Sequence, residues 1–320
     1  MTESSQTQNT KNLLEIEDLV VEFPTSGGPV RAVSGVSLDV REGETLGIVG
    51  ESGSGKTTLG KATIKLQEMT SGKIVFDGRS LFEIKGSALR KLRLRMQIVF
   101  QDPNSSLNPR MTIGNIVGDG LKIHGIASGA KADEKVVEAL EQVGLRPDDM
   151  KKYPHQFSGG QKQRIGIARA LILGPDYIVL DEPVSALDVS VQAQVVNLLK
   201  DLRDKHHLTY LFIAHDIGVV ANISDRVAVM YLGKIMEIGA DVLRQPRHPY
   251  TKALISAIPD PDAYKRKRLA HEIDEIMGEP PSPSNPPSGC VFRTRCPIAE
   301  DRCASEIPIL KNGVACHFVE

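Results

Sequence analysis

The sequence predicts an α/β fold organised around a phosphate-binding loop, and three observations carry that prediction. Gly50-Glu51-Ser52-Gly53-Ser54-Gly55-Lys56-Thr57 fits G-x-x-x-x-G-K-S/T without a mismatch. A short apolar run over 44–49 precedes it and a helical pattern over 56–67 follows, the strand, glycine loop, helix order that a phosphate site needs. Further apolar β-rich runs at 73–76, 96–100, 177–180, 210–214 and 227–231 are separated in several places by helical patterns.

Taken in order, residues 1–12 are polar, lack the apolar stretch of a secretory leader and read as a disordered N-terminus. Leu14-Glu15-Ile16-Glu17, then 19–23 and 30–40, read as strands around the turn-rich Pro24-Thr25-Ser26-Gly27-Gly28-Pro29, which suggests an antiparallel β layer. From about 111 to 174 the pattern is mostly helical, over 113–124, 133–143 and 161–173, an insertion between two strands of the sheet. The main domain is placed at 13–240. Beyond it, 241–320 reads as a smaller extension, in which Glu279-Pro280-Pro281-Ser282-Pro283-Ser284-Asn285-Pro286-Pro287 leads to a group of cysteines. No internal repeat is evident.

Composition narrows the function classes. With 41% hydrophobic and 25% charged residues over 320 positions, there is room for a sizeable core. A formal net charge of -1 provides no overall basic field, which weighs against nucleic acid as a partner. No run of about 18 apolar residues occurs, so the expectation is a cytoplasmic protein that meets a membrane through partners.

Glycines in the 50–57 loop let the backbone wrap so that N–H groups and the next helix N-terminus face phosphate oxygens. Gly50, Ser52, Gly53, Ser54, Gly55, Lys56, Thr57 and Thr58 are the candidate nucleotide contacts. Lys56 is expected to reach the β- and γ-phosphates, and the Thr57 hydroxyl a Mg²⁺ ion. Ile178-Val179-Leu180-Asp181-Glu182 is a buried-strand run ending in two carboxylates. Asp181 is expected to hold Mg²⁺ through water, and Glu182 to face the attacking water as general base or orienting group.

Gln101 and His215 each sit just past a predicted strand, the edge where ligands bind in open α/β sheets. Gln101 is a candidate for Mg²⁺ or the attacking water and His215 for the γ-phosphate. Either one alone also reads as an ordinary loop-stabilising residue. Phe157-Ser158-Gly159-Gly160-Gln161 opens a helix that carries Arg164 and Arg169. Ser158 can cap that helix, and the same turn is a phosphate clamp without its own lysine, which points to a second subunit closing over the nucleotide. Ser185-Ala186-Leu187-Asp188 opens another helix at an expected subunit contact.

This ordered set resembles the nucleotide-binding subunits of ABC transporters. The resemblance implies a P-loop ATPase of ABC type, with a RecA-like core sheet, an antiparallel β subdomain, a helical signature subdomain and a small Cys-containing C-terminal extension. It implies two subunits that sandwich two ATP molecules with Mg²⁺, each ATP between one subunit's 50–57 loop and the other's Ser158-Gly159-Gly160-Gln161, with Asp188 at the contact. Phe23 stands where an aromatic usually stacks on adenine, and core packing explains it nearly as well. The signature departs from the commonest pattern at Phe157, where leucine is usual.

Phe100-Gln101-Asp102-Pro103, Ser106-Leu107-Asn108-Pro109, His248-Pro249-Tyr250, Pro286-Pro287-Ser288-Gly289-Cys290 and Arg295-Cys296-Pro297 are similar to oligopeptide and dipeptide importers. Glu182-Pro183-Val184-Ser185-Ala186-Leu187-Asp188 most resembles the subunit usually called F in oligopeptide permeases. The implied function is ATP binding and hydrolysis that powers peptide import. The implied partners are a second ATPase subunit, a D-type paralogue, with two transmembrane permease subunits and an extracytoplasmic substrate-binding protein. The implied location is the cytoplasmic face of the membrane, and residues 101–124 are implied to couple to the membrane partner. Alternatives are an ABC-type ATPase acting on nucleic acid or the ribosome, an importer of nickel or another small solute, and a redox sensor whose cysteines regulate ATP use.

All four cysteines, Cys290, Cys296, Cys303 and Cys316, fall in the last 31 positions with spacing C-x5-C-x6-C-x12-C. Cysteines gathered in a cytosolic protein favour metal or redox chemistry over disulfides. The close C-x2-4-C knuckle of structural zinc sites is missing, whereas iron-sulfur clusters accept more scattered thiolates. Arg293, Arg295 and Arg302 lie among them and are placed to offset a cluster's negative charge. A 4Fe-4S cluster is therefore expected, with zinc and free thiols as the alternatives.

Overall fold

A computed structural model describes residues 11–26, 28–257 and 279–319. The expected disordered segment 1–12 lies outside the described residues as far as residue 10, and Asn12 already opens the first strand. That strand, β1 (Asn12–Phe23), pairs antiparallel with β2 (Val30–Arg41) on one side and β4 (Ser71–Phe76) on the other, with β5 (Arg79–Ser80) beyond β4. The two short runs expected over 14–23 are one strand. Asp18, at φ 46, sits where the register shifts, so the break is a bulge that keeps Leu14, Ile16, Leu19 and Val21 buried.

The second sheet has the order β10-β9-β3-β8-β7-β6. β3 (Thr45–Val49), β6 (Met96–Val99), β7 (Tyr177–Asp181), β8 (Thr209–Ile213) and β9 (Arg226–Tyr231) run parallel, and β10 (Lys234–Gly239) is antiparallel to β9. Every residue of β3, β7 and β8 is buried, because both faces of the sheet are covered. Leu46, Ile48, Val179, Leu211 and Ile213 face α1 (Lys56–Thr63) and the antiparallel sheet. Ile178, Leu180, Tyr210 and Phe212 face a helical layer that includes α6 (Gly159–Leu171), α7 (Val189–His206) and α8 (Ile217–Ile223). Burying each such side chain on either face contributes about 2 kcal/mol over leaving it exposed.

Between β6 and β7 lie α3 (Pro103–Ser106), α4 (Ile113–Ile123), α5 (Ala130–Gln142) and α6. In α4, Ile113, Ile116, Val117 and Leu121 recur at helical spacing and are buried against α5 and α6, which explains why this insertion forms its own helical layer. Ahead of β6 stands α2 (Gly86–Arg95), a basic helix with Leu92 its one buried residue.

After β10 the chain returns to the sheet twice. Glu237 of β10 is fully buried and accepts hydrogen bonds from the Arg247 and His248 N–H groups at 2.9 and 3.0 Å. His248 in turn caps α9 (Pro249–Ser256), its Nδ1 accepting from Tyr250 N–H at 3.0 Å. Past the short α10 (Asp301–Ser305), Ala315 N–H donates to Met236 O and Ile238 N–H to Gly313 O, both at 2.8 Å. Tyr250, Val291 and Phe292 join the core of the larger sheet, with ring centroids of Tyr231 and Tyr250 4.7 Å apart and of Tyr250 and Phe292 5.3 Å apart. Among the described residues no helix is long and apolar enough to cross a membrane.

Candidate active site

The parallel strands β6, β7, β8 and β3 end on one edge of the sheet, and each delivers a candidate residue there. β3 runs straight into the 50–57 loop, Asp181 ends β7, and Gln101 and His215 each lie two residues past β6 and β8. Residues far apart in the chain therefore meet because strand direction, not sequence distance, sets their place.

The loop packs tightly on β2. Gly55 has φ 103, and a Cβ there would lie 2.0 Å from the Ala32 carbonyl oxygen, so only glycine fits. Lys56 is buried, and its ammonium donates to the Gly50 and Glu51 carbonyls, both at 2.8 Å. Burial lowers its pKa, against the opposing pull of the Glu182, Asp181 and Glu51 carboxylates.

Thr57 Oγ1 donates to Asp181 Oδ1 at 2.7 Å, joining the first turn of α1 to the end of β7. Asp181 is 4% exposed, and burial raises its pKa although the Thr57 hydrogen bond opposes that. The next residue, Glu182, has φ 47, a left-handed backbone that costs a residue with a Cβ about 1–2 kcal/mol. Its N–H is held by the Ile213 carbonyl at 2.9 Å. Its carboxylate meets Gln101, whose Nε2 donates to Oε2 at 2.7 Å, while His215 Nδ1 lies 3.3 Å from the same oxygen.

The Ser158 turn is a reciprocal capping box. Ser158 N–H donates to Gln161 Oε1 at 3.0 Å, and Gln161 N–H to Ser158 Oγ at 3.4 Å. Ser158, Gly159 and Gln161 are exposed, whereas Gly160 is pressed on α7, where a Cβ would lie 2.4 Å from Val191 Cγ1. Phe157 is buried in the core beneath. Among the described residues no hydrogen bond links this turn to the 50–57 loop. Asp188, exposed, opens α7 as its N-cap. Phe23 is 36% exposed at the end of β1 and lies outside both buried clusters, which sets aside the core-packing reading.

The cysteine tail departs from expectation. All four cysteines are free, and among the described residues no group of three or more His, Cys, Asp or Glu is arranged to hold a metal ion. Burial pushes the Cys290 thiol up, with the Cys303 and Cys316 thiols adding to it, and pushes Cys296 up to about 11. The three arginines are engaged elsewhere: Arg293 with the Ser288 carbonyl, Arg302 with Glu306 and Arg295 with Glu51. The expected 4Fe-4S cluster thus finds no support.

Glu51, Tyr250 and Arg295 are the site neighbours that the sequence reading missed. Arg295 Nη1 lies 3.0 Å from both Glu51 carboxylate oxygens, and Glu51 N–H donates to the Tyr250 hydroxyl at 3.0 Å. The available signal was an acidic side chain inside a loop built for phosphate.

Comparison with known proteins agrees with this geometry. A family model described as ABC transporter matches residues 33–185, and one described as oligopeptide/dipeptide transporter, C-terminal region, matches 236–303. A putative peptide import ATP-binding protein of Brucella ovis is 54% identical over 308 residues, covering 96% of each chain. The oligopeptide transport ATP-binding proteins AppF of Bacillus subtilis and OppF of Salmonella typhimurium are 49% and 51% identical, covering 97% and 98% of each chain. Among solved structures, the dimeric post-hydrolysis state of the ATP-binding cassette MJ0796 bound to ADP and Pi is similar with a TM-score of 0.64 and 29% identity. It covers 71% of this chain and 98% of that one.

Proposed function

The chain belongs to the ABC transporter family, and from that premise we propose how its site serves the ATP-binding subunit of an oligopeptide importer. It binds ATP and couples hydrolysis to the import of oligopeptides. The nucleic-acid and nickel alternatives are not favoured, since relatives matching nearly the whole chain carry peptide-import names and the C-terminal region fits the peptide-transporter model.

The observation that carries the reading is the convergence of Lys56, Thr57, Asp181, Gln101, Glu182 and His215 at one sheet edge. N–H groups of the 50–57 loop and Thr58 receive the phosphates, and Lys56 exchanges the Gly50 and Glu51 carbonyls for β- and γ-phosphate oxygens. The Thr57 hydroxyl and Asp181 carboxylate are hard oxygen donors 2.7 Å apart, which fit Mg²⁺, an ion usually held by one or two carboxylates together with phosphate oxygens. When bound, the ion supplies charge neutralisation at the phosphates. Glu182 takes a proton from, or orients, the attacking water, with Gln101 positioning the carboxylate and His215 reaching the γ-phosphate. Phe23, exposed at the end of β1, stacks on adenine.

Because the Ser158-Gly159-Gly160-Gln161 turn is exposed and unlinked to its own loop, it serves the nucleotide of a second ATPase subunit, a D-type paralogue, with Asp188 at the contact. Residues 13–240 are the ATPase domain, with 111–174 its helical subdomain, and 241–320 the extension. The membrane partners are two permease subunits fed by an extracytoplasmic substrate-binding protein, and the chain sits on the cytoplasmic face. The test is reconstitution with the permease subunits and the second ATPase in vesicles. ATP-dependent uptake of a labelled oligopeptide is expected, and its loss in Lys56→Ala. Hydrolysis without uptake, or uptake by Lys56→Ala, overturns the reading.

A further inference from the structure

Glu51 is the one acidic side chain within the 50–57 loop. An uncompensated carboxylate in such a loop opposes bound phosphate. At an effective dielectric constant near 20, unit charges about 8 Å apart repel enough to weaken binding about tenfold or more.

The C-terminal extension meets that charge. The Arg295 side chain is 8% exposed, lies 3.0 Å from both Glu51 oxygens, and donates to the Tyr231 hydroxyl at 3.3 Å with its guanidinium 5.7 Å from the ring centroid. The Tyr250 hydroxyl accepts the Glu51 N–H, while the Glu51 carbonyl accepts from Lys56. One loop residue is thus held at three points, two of them from beyond residue 240. The rings of Tyr231, Tyr250 and Phe292 pack together, so the grip is anchored in the buried core.

We propose that Arg295 and Tyr250 are positioning residues for the phosphate loop: Arg295 neutralises Glu51 and Tyr250 fixes its backbone, so the extension sets the affinity for MgATP. This rests on the loop being the nucleotide site. A purely structural tail would affect folding without singling out nucleotide affinity, whereas a defect caused by lost charge compensation is rescued by removing the carboxylate itself.

The experiment uses the full chain for MgATP binding and the assembled transporter for KM and kcat. Arg295→Met should weaken MgATP binding and raise KM about tenfold, with kcat altered less than about threefold. Adding Glu51→Gln to Arg295→Met should bring the affinity back to within about threefold of the parent. Tyr250→Phe, a conservative change, should raise KM about threefold. Lys56→Ala is the reference: if it still binds MgATP, the reading of the site fails. If Lys56→Ala loses MgATP while folded Arg295→Met and Tyr250→Phe bind it as the parent does, this proposal alone fails. A loss in Arg295→Met that Glu51→Gln leaves unrescued overturns it too. Where Arg295→Met does not fold, the KM of Tyr250→Phe decides.

Discussion

Gln101 Nε2 donates to Glu182 Oε2 at 2.7 Å, a contact between residues 81 positions apart that only neighbouring parallel strands can bring together. The same oxygen lies 3.3 Å from His215 Nδ1, so one carboxylate is the meeting point of three strand ends. Glu182→Gln keeps the shape and removes the proposed base. Hydrolysis should fall by about a hundredfold or more while MgATP still binds, and the ATP-bound subunits should persist as a closed dimer. Phosphate release and size-exclusion chromatography with ATP check this, and near-normal turnover would remove Glu182 from its role.

Asp181 illustrates the opposition of stability and function. Its folded pKa is raised by burial, so the ionised form carries a penalty that grows as pH rises above the ordinary carboxylate range. Asp181→Asn retains an acceptor for the Thr57 hydroxyl and sheds the charge. At neutral pH without nucleotide or metal, it should stabilise the protein by about 1 kcal/mol, about 2 °C in Tm, while Mg²⁺-dependent hydrolysis is lost. Calorimetry of the nucleotide-free variant decides the first part, and a lowered Tm contradicts it.

The segment after Gln101 is tied to the helix that carries the Ser158 turn. Arg169 of α6 donates to the Ser106 carbonyl at 2.6 Å, and Lys162 Nζ to Asn104 Oδ1 at 2.8 Å. If residues 101–124 transmit closure to the permease, loosening this tie should separate hydrolysis from transport. Arg169→Met should cut oligopeptide uptake about tenfold and hydrolysis less than threefold. Equal losses in both would show that the tie only supports the fold.

His248 gives a pH signature. Burial holds its pKa at about 4, below the ordinary imidazole value of 6.5, so the folded state resists a proton that the unfolded chain accepts. Its contribution is fully present above pH 6.5 and is lost as pH falls from there toward 4. His248→Asn keeps a cap for α9 and should flatten the decline in urea stability over that window by up to about 3 kcal/mol, even if stability at pH 7 is lower. An unchanged slope would assign the acid sensitivity to other groups.

Much of the sheet was readable in advance because its strands are short apolar runs of about the length a buried parallel strand needs, bounded by turn residues. β10 was harder, since Lys234 and Glu237 interrupt its apolar pattern, and the buried Glu237 makes sense only with Arg247 and His248 beside it. The basic α2 also went unread, having one buried residue and hence no apolar stripe to reveal a helix. The cysteine spacing suggested a cluster that finds no support among the described residues, where the arginines beside the cysteines are bonded to Glu51, Glu306 and the Ser288 carbonyl.

By itself the sequence determined the phosphate loop, the paired acids after a buried strand and the capping turn at Ser158, because each is local chemistry: a few adjacent residues whose spacing already states their purpose. Tertiary structure alone decided that Gln101 and His215 share one Glu182 oxygen, and that Arg295, 244 positions away, compensates Glu51. Such pairings leave no period or spacing in the chain, since strand order and the return of the extension onto the sheet bring the groups together.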